Sequence, residues 1–220
     1  MRPGEQTVIR SHASATCLNE ETLAHGTRLL SRRDPDLRRV VNKFGAPPMW
    51  ARESGFSTLL HIILEQQVSL ASARAAHNKL LEVASPLTPA RFLKLDDATL
   101  KAVGFSRQKT GYGRELARSI VEGLLDLDAL SSMDDATVRS ELIKVKGIGR
   151  WTADIYLLMV LRRPDIWPVG DLALAVAAQK VKRLRTRPTQ EELDDMSAAW
   201  RPWRAVAARI LWHYYLSEIT

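Results

Sequence analysis

The residues best placed for chemistry lie in Leu142-Ile143-Lys144-Val145-Lys146-Gly147-Ile148-Gly149-Arg150-Trp151-Thr152-Ala153-Asp154, where two glycines one residue apart join two segments of helical spacing. Glycine permits backbone conformations that a Cβ forbids and lets a ligand reach the main chain. The amides opening the second segment can therefore point outward at a phosphate. Lys146 and Arg150 add mobile positive charge on either side, and Ile148 can plug the turn between the helices. The carbonyls of the same turn, those of Ile143, Val145 and Ile148, can also face a monovalent cation. A plain alternative is a tight helix connection with glycines at the stop. Downstream, Asp171 opens Leu172-Ala173-Leu174-Ala175-Val176, so its carboxylate can accept from the first amides of a helix, as any N-cap does, or act on a ligand placed there.

Those groups need a scaffold, and the scaffold reads as helical. Apolar residues recur at spacings of three and four, while sustained strand alternation is absent. Phe56, Leu59, Leu60 and Ile63 mark one face; Ser69 caps a segment with Leu70, Ala73, His77, Leu80 and Leu81. Thr88-Pro89, Asp96, Ser106, Asp134 and the Thr189/Glu192 capping-box pair are further starts, Pro202 can open the last helix, and Gly104 is a stop. Gly111 and Gly113 weaken the segment from Arg107 to Val121, and Arg32 to Pro35 reads as a charged turn. Residues 1 to 21 lack a period and are expected to be flexible.

Composition narrows the class. The 220 residues carry 32 basic and 25 acidic side chains, a net charge of +7 with 45% hydrophobic residues, which are globular proportions that suit an anionic partner. Residues 1–110 hold 16 basic against 10 acidic side chains, so most of the excess lies there. One cysteine, Cys17, excludes an intramolecular disulfide and a four-cysteine metal or iron–sulfur site, and fits a reducing compartment. No apolar run suffices for a membrane span, and the polar start is unlike a signal peptide. The expectation is a cytosolic chain with no membrane association.

The glycine turn with its flanking helices resembles the helix-hairpin-helix of the DNA glycosylase superfamily that also carries a Gly/Pro-rich loop and a catalytic aspartate. Arg162-Arg163-Pro164-Asp165-Ile166-Trp167-Pro168-Val169-Gly170 follows the second hairpin helix as that loop, and Asp171 matches the catalytic carboxylate. Ile62-Ile63-Leu64-Glu65-Gln66-Gln67-Val68-Ser69 resembles the segment that enters the minor groove, and Trp200-Arg201-Pro202-Trp203-Arg204 a late stretch of the alkylbase branch. No four-cysteine cluster is present, and the length is short for an amino-terminal β domain. The resemblance is to the 3-methyladenine DNA glycosylase II branch in a compact form.

The resemblance implies an all-α fold of two helical subdomains with a DNA-binding cleft between them. Residues 54–160 would carry wedge and hairpin; residues 22–53 with 161–218 would carry Asp171. It implies Gln67 as the wedge filling the hole left by a flipped nucleotide, with Gln66 beside it. Lys146, Gly147, Ile148, Gly149, Arg150 and Lys109 would hold phosphates. Trp151, Trp203 and Tyr156 would form the base pocket, with Trp212 left to the core, and Ile155 stands where relatives have an aromatic. Bifunctional relatives place a lysine where this chain has Trp151, so the reaction implied is hydrolysis to an abasic site without strand cleavage. Double-stranded DNA with alkylated bases would be the partner of a monomer in the cytoplasm, at the bacterial nucleoid, or in a nucleus; no cofactor is needed, and Na+ or K+ could sit at the hairpin. A non-catalytic hairpin module or a glycosylase for other damaged bases are the alternatives. Lys180, Lys182, Arg183, Arg185 and Arg187 form an acid-free basic run, either phosphate-facing or a solvated helix end.

Overall fold

A computed structural model describes residues 17–218. Among them every regular element is a helix: α1 (Glu20–Arg33), α2 (Pro35–Phe44), α3 (Phe56–Glu65), α4 (Leu70–Val83), α5 (Pro89–Leu93), α6 (Asp97–Ala102), α7 (Arg107–Val121), α8 (Asp135–Ile143), α9 (Arg150–Met159), α10 (Leu172–Val181), α11 (Gln190–Ala198) and α12 (Arg204–Glu218). A short 3-10 turn, Ala129–Ser132, precedes α8. Ser69, Thr88, Asp96, Ser106, Asp134 and Thr189 each accept a backbone N–H at a helix start, so the punctuation in the sequence marks real boundaries. Their short polar side chains meet amides that have no intrahelical acceptor.

Four local expectations differ from the structure. The charged turn at Arg32 to Pro35 shrinks to Asp34 alone, which ends α1 and caps α2 through the Asp36 and Leu37 amides. The start is ordered earlier than expected. Leu18 is buried and donates its N–H to the Arg162 carbonyl at 2.7 Å, and Asn19 caps α1, so residues 17–21 belong to the fold; residues 1–16 lie outside the described residues. Helix α7 runs through both of its glycines because a Cβ at Gly113 would stand 2.7 Å from Phe92, so the missing side chain is what lets α7 close on its neighbour. Pro202 precedes the last helix by two residues rather than opening it.

Helices α3, α4, α7, α8 and α9 pack together, with α5 and α6 against α7; α1, α2, α10, α11 and α12 form the other packed set. The connection between α2 and α3 ties the sets together. Arg52 donates its N–H to the Met159 carbonyl and its guanidinium, through two bonds of 2.8 and 3.0 Å, to the buried Glu65 at the end of α3. Arg209 of α12, fully buried, donates to the carbonyls of Met49, Leu158 and Ala205, and burial pushes its guanidinium down to about 10. Asp34 joins α2 to α10 by accepting from Lys182 at 2.6 Å and from the Trp200 indole at 2.8 Å. Burial alone would raise its pKa, but these donors outweigh it and hold the carboxyl below its usual value.

Between α3 and α4, His61 and His77 stack with ring centroids 4.4 Å apart. Burial pushes His61 down to about 4, Glu65 at 3.8 Å pulls the other way, and charges on His77, Arg52 and Arg74 add to the depression. The folded protein therefore resists a proton that the unfolded chain accepts at about 6.5. Stability should fall as pH drops from about 6.5 to about 4, by up to roughly 3 kcal/mol from this group. In His61→Phe, which keeps the stacked shape, urea unfolding across that window should show a shallower loss.

Candidate functional site

Asp171 is the N-cap of α10 and only 8% exposed. A buried carboxylate needs donors, and three N–H groups from three helices supply them. One oxygen accepts from the Leu174 amide at 2.9 Å and from the Trp212 indole of α12 at 3.2 Å; the other accepts from the Trp151 indole of α9 at 2.9 Å. The donor in an indole lies in the ring plane, so Asp171 holds the half-buried Trp151 by its edge. Trp212 performs a polar task that its expected place in the core did not suggest. It lies 41 residues beyond Asp171, and nothing local in the sequence links the two.

The other two expected pocket aromatics are elsewhere. Tyr156 is fully buried with its hydroxyl 3.0 Å from that of Ser54, so it is a core residue locking α9 to the entry of α3. The periodicity of α9 left its facing open, and every residue from Thr152 to Met159 is buried. Trp203 packs on α1: its ring meets His25 edge-on and lies where a Cβ on Gly26 would be.

The hairpin joining α8 and α9 is held from beneath. Ile148 is buried, and Gly147, at φ +99°, has the Tyr112 ring so close that an added Cβ would stand 2.2 Å from it. Gly149 has open space at the same test. Asp154, fully buried, binds Arg139 of α8 at 2.7 and 2.8 Å and Arg150 at 3.3 Å, bolting the two hairpin helices together. Lys146 and the outer part of Arg150 remain exposed beside the turn. The Val145 carbonyl accepts the Ile148 N–H at 3.0 Å. The carbonyls of Ile143, Val145 and Ile148 are neutral oxygen donors, a set that fits a monovalent cation better than a transition metal.

Between α3 and α4 the chain turns sharply. Gln67 is exposed at φ +57°, while the Gln66 amide donates to the Gly147 carbonyl and the Thr152 hydroxyl, both at 2.9 Å. Gln66 is thus the strut between this turn and the hairpin, and Gln67 the residue it presents. Val68 and Leu70, about half-exposed, flank it. Lys109 does not face outward as a phosphate ligand would: its amine donates to the Leu64 carbonyl at the end of α3, and burial pushes its pKa down. In the basic run, Lys182 is committed to Asp34 and Asp36, whereas Lys180, Arg183, Arg185 and Arg187 are exposed.

A helix-hairpin-helix with a buried aspartate beside it defines a DNA-repair fold. Residues 60–204 match the model of the HhH-GPD superfamily of base excision DNA repair proteins, and the chain belongs to that family. A DNA-3-methyladenine glycosylase of Bacillus subtilis is 26% identical over 83% of this chain, and DNA-3-methyladenine glycosylase 1 of Schizosaccharomyces pombe is 26% identical over 83% of each chain. The chain spans 64% of the length of the Bacillus relative. Among solved structures, the Schizosaccharomyces pombe 3-methyladenine DNA glycosylase in complex with abasic DNA superposes with a TM-score of 0.81 at 26% identity, covering 86% of this chain and 95% of that one. Among the described residues no helix is long and apolar enough to cross a membrane.

The two hairpin glycines should separate on substitution. Gly147→Ala combines a clash with a strained φ and should cost about 2 kcal/mol or more in thermal or urea unfolding. Gly149→Ala should unfold like the wild type yet bind duplex DNA more weakly, because its Cβ occupies the face a phosphate would approach. Equal stability of the two variants would remove Tyr112 as the reason for Gly147.

Proposed function

We propose that this protein is a monofunctional DNA glycosylase that takes alkylated bases, 3-methyladenine among them, out of duplex DNA and hydrolyses the N-glycosidic bond. The observation that carries the reading is the carboxylate of Asp171, held by three N–H donors, one of them the edge of the Trp151 indole. The kinship with 3-methyladenine glycosylases supports it.

As the glycosidic bond breaks, positive charge builds on the sugar. An anion about 4 Å away stabilises that charge by roughly 4 kcal/mol at an effective dielectric near 20, about three decades in rate. Both Asp171 oxygens already accept hydrogen bonds, so its orientation is set before substrate arrives. The alkylated base leaves readily because it is itself cationic, and the Trp151 face attracts a cationic ring. Gln67, presented by the turn after α3, enters the vacated stack while Gln66 couples it to the hairpin. The amides of Gly149 and Arg150, with Lys146, hold the backbone of the DNA, while the Ile148 amide closes the turn on the Val145 carbonyl. The carbonyls of Ile143, Val145 and Ile148 would hold Na+ or K+, adding positive charge near that phosphate. No further cofactor is needed, and one chain suffices.

Strand cleavage by a Schiff base needs a free amine near the sugar. Position 151 is an indole, and the nearby Lys144 amine is held by both oxygens of Glu141 at 2.7 and 2.8 Å on an exposed face. With no amine at position 151, and Lys144 and Lys146 both before the turn, the expected product is an abasic site.

Release of free base from randomly methylated duplex, resolved by chromatography, tests the reading. Wild type should release methylpurine, Asp171→Asn about a thousandfold more slowly. Trp212→Phe, which keeps the ring and removes one donor, should lose about tenfold. Strand breaks should appear only after heat or alkali. Absence of any base release, with equal DNA binding by wild type and Asp171→Asn, would leave a non-catalytic DNA-binding module and return Asp171 to a capping role.

A further inference from the structure

Away from Asp171 and the hairpin, α1 and α2 enclose a groove of about 300 Å3 that shares no residue with the site described above. Arg28 and Arg32, one helical turn apart on α1, line one wall; Arg38 and Asn42, one turn apart on α2, line the other. The Ser31 hydroxyl between the walls is buried and has no hydrogen-bond partner. None of these three arginines makes an ion pair among the described residues. Their neighbours are all engaged: Arg39 binds Asp36 at 2.6 Å and the Val181 carbonyl at 3.2 Å, and Arg33 donates to the Arg201 carbonyl at 3.2 Å.

Three guanidinium groups around one small groove repel one another unless an anion joins them. Guanidinium forks match the oxygens of phosphate two at a time, and a hydroxyl that lacks a partner can donate to a remaining oxygen. We propose that this groove binds a phosphate group, with Arg28, Arg32 and Arg38 neutralising it and Ser31 completing its hydrogen bonds. The phosphate could belong to a stretch of DNA backbone outside the cleft or to a free phosphomonoester; both present the same oxygens. The site goes beyond the glycosylase reading and does not depend on it.

Inorganic phosphate titrated into the full chain, followed by backbone amide NMR, tests binding directly and without any enzymatic turnover. Shifts should concentrate in α1 and α2, saturate, and vanish in the Arg28→Gln/Arg32→Gln/Arg38→Gln variant, whose substitutions are exposed and leave the remaining spectrum as a check of folding. Ser31→Ala, a smaller change, should weaken phosphate binding several-fold while leaving the arginines in place. The salt dependence of duplex DNA binding separates the sources. If DNA backbone fills the groove, the log–log slope for the triple variant should be shallower by up to about 2.7 than for wild type. If a free phosphomonoester does, the slope should stay the same while the phosphate titration is lost. Either result supports the site. Shifts reproduced by chloride at matched ionic strength, or unchanged in the triple variant, would mean an adventitious anion only and overturn it, whether or not the protein proves to be a glycosylase.

Discussion

A carboxylate hidden from water has to be satisfied by its surroundings, and the way Asp171 is satisfied organises the molecule. One donor is local, the Leu174 amide of its own helix. The other two come from indoles on helices far apart in the sequence. Trp151 opens α9, in the packed set that carries the hairpin, while Trp212 lies on α12, in the set that carries Asp171 itself. The bond from Trp151 therefore crosses between the two sets and places the hairpin relative to the carboxylate. An aspartate capped only by its own helix would be oriented by that helix alone; this one is oriented by both halves of the protein.

The supports behind the hairpin follow from the same requirement. Asp154 has no exposure and is tolerated because two arginines reach it, one from each hairpin helix. Gln66 ends α3 and uses its amide to hold the Gly147 carbonyl, so the turn that presents Gln67 is joined directly to the glycine turn. Tyr112 closes over Gly147 from α7. Lys109, which sequence similarity placed against phosphate, instead satisfies a carbonyl at the end of α3 and steadies the same turn from the inside. Polar groups that a sequence reading assigns to ligands are, in several cases here, what positions the ligand-facing ones.

Arg209 shows how far this economy extends. A buried guanidinium with three carbonyl acceptors joins the connection before α3, the end of α9 and the first turn of α12. One turn further along α12 comes Trp212, so the residue that orients Asp171 grows from a helix anchored by that cation.

Much of the fold was legible in the residues because helix caps are local: Ser69, Asp96, Ser106 and Thr189 act on amides three positions away, and a spacing suffices to find them. The glycine turn and Asp171 were legible for the same reason, each being a short pattern whose chemistry is contained in its own neighbourhood. Facing and pairing were not. A single helix with apolar residues all round, as in α9, does not reveal that Tyr156 turns to Ser54 while Trp151 turns to Asp171. Trp203 and Trp212 share a stretch of sequence yet meet α1 and Asp171 respectively. By itself the sequence determined most of the helix starts, the glycine turn between two helices, and which aspartate opens a helix beyond that turn. Only the tertiary structure decided which indoles reach that aspartate, because such contacts depend on how whole helices pack, and packing is set by all their faces at once.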